Sequence, residues 1–194
     1  MSAFGFISGF VDTLGFIALF NLFAAHITGN VVLFAATRFF IIRRERRELD
    51  ATAHVLLAEA ILLAAFMAMA LASAPFERQD SAAAIATALL AVTAMAVQNT
   101  AARTFMNSLP PTTVMTGNLM QIIVDVVDVL HRHGKLEPKY DRLSKLVPLM
   151  LAFSAGAIGG AVGYATIGFL ALIAPILAAL ALGLFGRPHP AAVA

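Results

Sequence analysis

The chain reads as an all-α membrane protein of six to seven transmembrane helices, and three observations predict that class. The first is composition: 60% of its 194 residues are hydrophobic, only 12% are charged, and the mean hydropathy is +0.87. A soluble domain of this length does not carry so little charge. The second is the length of the uncharged runs. Leu146 to Gly186 holds no charged residue, Ser81 to Ala102 holds none, and Val55 to Ala74 holds only Glu59. A crossing helix needs about 20 apolar residues, whereas barrel strands alternate over about 10. The third is an internal echo, "HITGNVVLFA" at 26–35 and "VMTGNLMQII" at 114–123. In both places an apolar segment leads to a Thr-Gly-Asn step, an uncharged helix follows, and a basic loop closes the unit. That is the signature of duplication.

In order, the helices fall at 3–25, 28–43, 54–74, 81–106, 112–131, 146–164 and 167–185. The first is a retained helix, because the N-terminus lacks the basic region and cleavage signal of a secretory peptide. The second and fifth are short or amphipathic, and one of them reads as re-entrant. All belong to a single integral domain, 1–194, with one repeat over about 3–74, a second over about 81–164 and an extra helix at 167–185. If helices 1–3 correspond to 4–6, the offset is odd and the units are inverted. Charge gives little orientation. Arg38, Arg43, Arg44, Arg46 and Arg47 would fall on one face, and Arg78, Arg132, Lys135, Lys139, Arg142, Lys145 and Arg187 on the other. The positive-inside rule is nearly silent on such a split, which favours a miscounted or re-entrant segment over a chain that inserts either way and pairs as an antiparallel dimer.

The pI near 9.4 comes from these loop clusters, which suit a lipid surface and not nucleic acid. Cysteine is absent, so thiol chemistry and thiolate metal sites are excluded within the chain. No His and carboxylate spacing makes a metal site, and no cofactor motif is present. No nucleophile with its base can be assembled, so an enzyme is not expected.

The candidate site residues follow from the Thr-Gly-Asn steps. Asparagine caps helices, glycine lets the chain bend, and the free N–H groups of a first turn make a positive end. Facing ends of this kind hold anionic or polar groups in transporters built from broken helices. Thr28, Gly29 and Asn30 would form one end, and Thr116, Gly117 and Asn118 the other, with Gln121 one turn further on. The competing reading is that each Asn only caps its own helix at the bilayer surface.

The preceding helices offer Asp12 on one side and Gln98, Asn99 and Arg103 on the other. Ionisable groups at membrane depth face a partner or a water-filled cavity. Asp12 would be a proton or cation site and Arg103 a clamp for an anion; alternatively, the two neutralise each other in a salt bridge. His26 is a second candidate proton relay, or a hydrogen-bonded helix-end residue. Asp125 and Asp128 read as solvated, and Glu59 with His54 stands near one end of helix 3. Gly5, Gly9, Gly156, Gly159, Gly160 and Gly163 recur at four-residue spacing, which permits close helix packing inside the protein or, less simply, at a dimer seam. Pro175 is positioned to kink helix 7, and Pro110 and Pro111 separate helices 4 and 5.

The segments "GFVDTLGFIAL", "HITGNVVLFA", "AVQNTAARTF" and "TVMTGNLMQI", in that order, resemble the YoaK-like family of bacterial membrane proteins, a domain of unknown function. The resemblance covers nearly the whole chain and rests on Gly9, Asp12, Gly15, His26, Thr28, Gly29, Asn30, Gln98, Asn99, Arg103, Thr116, Gly117 and Asn118. It implies a multi-pass protein of the bacterial inner (cytoplasmic) membrane with six or seven helices, and no particular reaction. Helix 3, "AEAILLAAF", departs from the glycine-rich pattern that helix 6 keeps. Taken together, the expected function is transport of a small polar or anionic solute between the two Thr-Gly-Asn ends, by a homodimer. The alternative is a non-transporting assembly or sensor protein whose polar residues serve helix packing.

Overall fold

The computed structural model describes residues 2–19, 31–45, 51–76, 78, 80–105, 115–132 and 137–185, and these are helical apart from short turns. The elements are α1 (Ser2–Ala18), α2 (Val31–Glu45), α3 (Ala51–Ser73), α4 (Ala82–Phe105), α5 (Met115–Leu130), α6 (Glu137–Ile167), a 3₁₀ segment (Gly168–Leu172) and α7 (Ile173–Phe185). Among the described residues, three stretches are long and apolar enough to cross a membrane: Ala53–Ser73, Ala82–Ala102 and Glu137–Phe185. Their outer faces carry exposed Ile61, Leu89, Leu151, Ile158, Val162 and Leu177. So much exposed aliphatic surface belongs against lipid. The chain is a helical membrane protein.

Local chemistry explains the helix limits. α3 is rich in Ala, Leu and Met, which lose little freedom in a helix. Ser81 opens α4 by accepting the Ala84 N–H on its hydroxyl at 3.2 Å. Within α4, the hydroxyls of Thr87, Thr93 and Thr100 donate to the carbonyls of Ala83, Leu89 and Ala96 at 2.7, 2.7 and 2.8 Å. Polar side chains are thereby satisfied without water. Gly168 ends α6 with φ of 62°, a conformation that glycine adopts without strain. Pro175 falls in the first turn of α7, where the missing N–H would have had no helical partner, so it starts the helix and does not kink it.

The closest packing joins α1 to α6. A Cβ on Gly160 would lie 2.5 Å from the Phe10 carbonyl oxygen, and one on Gly5 would lie 2.8 Å from that of Leu149. On Gly9 it would strike the Phe153 carbonyl, and on Gly156 the Phe6 carbonyl. The expected internal packing by small residues is therefore realised here, backbone against backbone. The numbers on both helices rise together along the seam, so α1 and α6 are parallel.

The remaining directions follow from other contacts. Gly183 of α7 meets Ala53, Leu56 and Leu57, while Phe169 at the start of that hairpin arm meets Phe66, with ring centroids 6.3 Å apart. α3 and α7 are antiparallel. Phe169 also meets Phe76 and Tyr164, at 6.2 and 5.2 Å, which gathers the C-terminal ends of α3 and α6 and the start of α4 at one end of the bundle. At the opposite end, Ile41, Val55 and Ala101 pack together with Val97 against them. That end, called the basal end below, holds the starts of α1, α3 and α6 and the finish of α2, α4 and α7.

α5 differs from the rest. It follows α4 and precedes α6 at the basal end, and folds back on the start of α6 as a hairpin. Lys139 donates to Asp128 at 2.7 Å, and Arg142 donates to Asp125 from two guanidinium nitrogens, Nη2 and Nε, the latter at 2.6 Å. These pairs explain why α6 begins at Glu137, nine residues before the expected start at 146. Charges that looked like loop are a helical extension clamped to α5. Asp125, expected to be solvated, is 0% exposed. α1 and α4 run in opposite directions, as inverted units would, whereas α3 and α6 run the same way.

Candidate functional site

Apolar helices that bury polar side chains must find them partners, and the described residues bury a distinct set: Ser8, Asp12, Glu59, Gln98, Asn99, Asn118 and Asp125, besides Thr87 and Thr100. Their placement is not scattered. Gln98 of α4 donates from Nε2 to the Phe4 carbonyl at 2.9 Å and accepts the Ser8 hydroxyl on Oε1 at 3.3 Å. Asp12 lies one turn beyond Ser8 on the same face of α1. Asp12, Asn99 and Asn118 are each engaged by further groups.

Helix register brings two more residues to this depth. Val55 and Ala101 pack at the basal end of the antiparallel α3 and α4. One turn inward from Val55 is Glu59, and one turn inward from Ala101 are Val97 and Gln98. On the other side, the Asp125 to Arg142 pair sets the α5 and α6 register. Two turns along, Asn118 stands level with Leu149, whose carbonyl lies against Gly5 of α1. Ser8, Glu59, Gln98, Asn99 and Asn118 thus lie at similar depth near the basal end, a polar belt in level, with α5 reaching the bundle through α6.

The clamp outside the belt has its own electrostatics. The Arg142 guanidinium holds the Asp125 carboxyl below the ordinary carboxylate range, with burial opposing and the Gln121 amide, 3.0 Å away, adding to the effect. Gln121, expected to line a cavity, donates from Nε2 to Asp125 of this ion pair. Asn118 was expected at a helix-opening step; α5 starts at Met115, so Gly117 and Asn118 occupy its first turn and Asn118 is not the cap. Asn118 and Gln121 therefore share the face that meets α6.

Of the other expected site residues, Thr28, Gly29, Asn30 and His26 lie outside the described residues, as do the side chains of Arg103 and Thr116. The pairing of Asp12 with Arg103 is outside them for the same reason. Gln98, Asn99 and Asn118 are all buried at about one level, and Asp12 is buried about two turns further in. Sequence reasoning passed over Ser8 and gave Glu59 no role. The signal for Glu59 was present: it is the single charge within α3. Among the described residues no group of three or more His, Asp or Glu side chains converges on a metal position. A cavity of about 120 Å³ between α3 and α7 is lined by Ala53, His54, Leu57, Leu180, Gly183 and Leu184, and its walls are almost wholly apolar.

No curated protein matches the chain, and no solved structure does. A family does match, over residues 1–42 and 34–185, and it is the grouping to which the YoaK-like resemblance pointed. The chain belongs to the family described as protein of unknown function, DUF1275.

Proposed function

We propose that this protein is a permease for a small polar or anionic solute in the bacterial inner membrane. The observation that carries the reading is the belt: the hydroxyl, carboxyl and amide side chains of Ser8, Glu59, Gln98, Asn99 and Asn118, from four helices, buried at similar depth in a lipid-facing bundle. Polar groups at membrane depth are expensive and mark pathways for ions and solutes. The proposed chain crosses six times, by α1 to α4, α6 and α7, while α5 runs along the start of α6 to the basal end without crossing. A segment of that kind is common beside transporter sites. Thr116 to Asn118 would then be one solute-facing end and Thr28 to Asn30 the other, with Gln98, Asn99 and Arg103 contacting solute. Inverted duplication is supported by the opposed α1 and α4, and not by α3 and α6. Because the protomer is small for alternating access, the working unit is proposed to be a homodimer.

A ligand that binds only the folded state raises its melting temperature. The test is a thermal-shift screen of purified protein against small anions and polar metabolites, with Asn99→Ala and Asn118→Ala as controls. A shift in wild type that both variants lose supports the permease; a shift that survives in both removes the belt from the site.

A second reading is favoured by one detail. Both ends of the Gln98 amide are already paired inside the protein, which is how a packing lock behaves. On that reading the chain is an assembly or sensor protein, and no solute changes its melting temperature.

A further inference from the structure

We infer that Glu59 is a proton-binding site in the membrane core, loaded in the packed arrangement seen here and discharged toward the basal end. Its side chain is fully buried, and among the described residues neither carboxyl oxygen has a hydrogen-bond partner. A carboxylate in that condition has lost its water and gained nothing in return, so the packed arrangement holds the neutral acid. A metal ion does not solve the problem, because a hard cation needs several oxygen ligands, and Val55, Ala60 and Leu63 flank Glu59 on its own face of α3.

Among the described residues, the charged surroundings leave Glu59 uncompensated. α7 and the 3₁₀ segment contain no ionisable residue. α4 presents neutral Gln98 and Asn99 at the same depth, and the Arg103 side chain is outside the described residues. On α2, Arg38 and Arg43 are exposed, and on α3 itself His54 is exposed. His54 precedes Glu59 by five residues, about 7 Å along a helix. A proton leaving Glu59 therefore has a short route to the basal surface. In that step the carboxyl O–H bond breaks, water takes the proton, and a carboxylate remains that only an opened, hydrated belt would tolerate. The proton site stands whether or not a solute is carried; linkage of its discharge to solute movement rests on the permease reading.

Infrared spectroscopy of the lipid-reconstituted full chain tests the site directly, since a protonated carboxyl absorbs apart from carboxylates. Wild type at neutral pH is expected to show a protonated-carboxyl band that Glu59→Gln removes and Asp12→Asn leaves in place. A band that persists in Glu59→Gln, or no band in wild type, overturns the assignment. Should Glu59→Gln not fold, wild-type protein is treated with dicyclohexylcarbodiimide, to which a protonated carboxyl adds as an acylurea, and the peptides are weighed. Label on Glu59 supports the site, and label confined to other carboxyls overturns it. Neither experiment depends on a transported solute, so failure here and failure of the permease reading are distinguishable.

Discussion

The α1 and α6 seam and the polar belt lie within a few turns of each other and solve opposite problems. At the seam, glycines let two backbones meet, carbonyl against Cα. In the belt, side chains that lipid would reject are buried at similar depth, and Gln98 is satisfied by Ser8 and the Phe4 carbonyl. Lipid offers no hydrophobic drive for helices to associate, so close packing must supply it. The seam holds the molecule together, and that leaves the belt free to carry groups that do not maximise stability.

The largest effect expected from breaking this contrast is at the seam. Gly9→Leu or Gly156→Leu forces a side chain into a carbonyl of the facing helix and is expected to destabilise by about 3 kcal/mol or more. Loss of the cooperative thermal transition, or of folded protein on size exclusion, is the readout. Gly159→Ala is the control, because its Cβ would meet ring atoms and not backbone, those of Phe10 at 3.4 Å and Phe6 at 3.8 Å. Equal damage from both would mean that the seam is not the organising contact.

Next comes the α5 clamp. Arg142→Ala strands the buried Asp125, and since Arg142 is itself partly exposed the expected loss is about 1–2 kcal/mol. pH provides the same test without mutation. The Asp125 carboxyl is held below its ordinary value near 4, so the clamp stabilises fully above that value and weakens as pH falls through the lowered one. Acid melts of wild type should therefore steepen below about pH 4, and Arg142→Ala should flatten that dependence.

A smaller effect is expected in the belt. Replacing both members of a hydrogen-bonded pair with apolar groups is nearly neutral, so Gln98→Leu with Ser8→Ala should change stability by less than about 1 kcal/mol. A large loss would make the belt a structural lock and favour the assembly reading. The smallest effect is at the loop. Arg78 and Asp80 pair at 2.7 Å with both side chains exposed, and Arg78→Ala should leave the melting temperature unchanged.

Much of this architecture is legible in the sequence, for identifiable reasons. Uncharged runs gave α3, α4 and α7 nearly whole, because lipid leaves few alternatives to a helix. The spacing of Gly5, Gly9, Gly156 and Gly160 announced close packing, though not that the two helices run in parallel. What periodicity could not reveal was pairing at a distance. Lys139 and Arg142 read as loop because their partners, Asp128 and Asp125, lie across a turn, and without those partners a charged helical extension has no visible reason to form. Gln98, Asn99, Asp12 and Asn118 stood out as polar residues in apolar segments. Glu59 stood out equally and was set aside beside His54, since burial and lack of a partner are properties of packing and not of composition.

The central claim is that the belt handles a solute. Its most direct test is flux into proteoliposomes of wild type, Asn99→Ala and the Gln98→Leu, Ser8→Ala pair, using a solute that shifts the melting temperature. The account predicts solute entry with wild type and loss of most of that entry in folded, stable belt variants. Entry undiminished in those variants would contradict it.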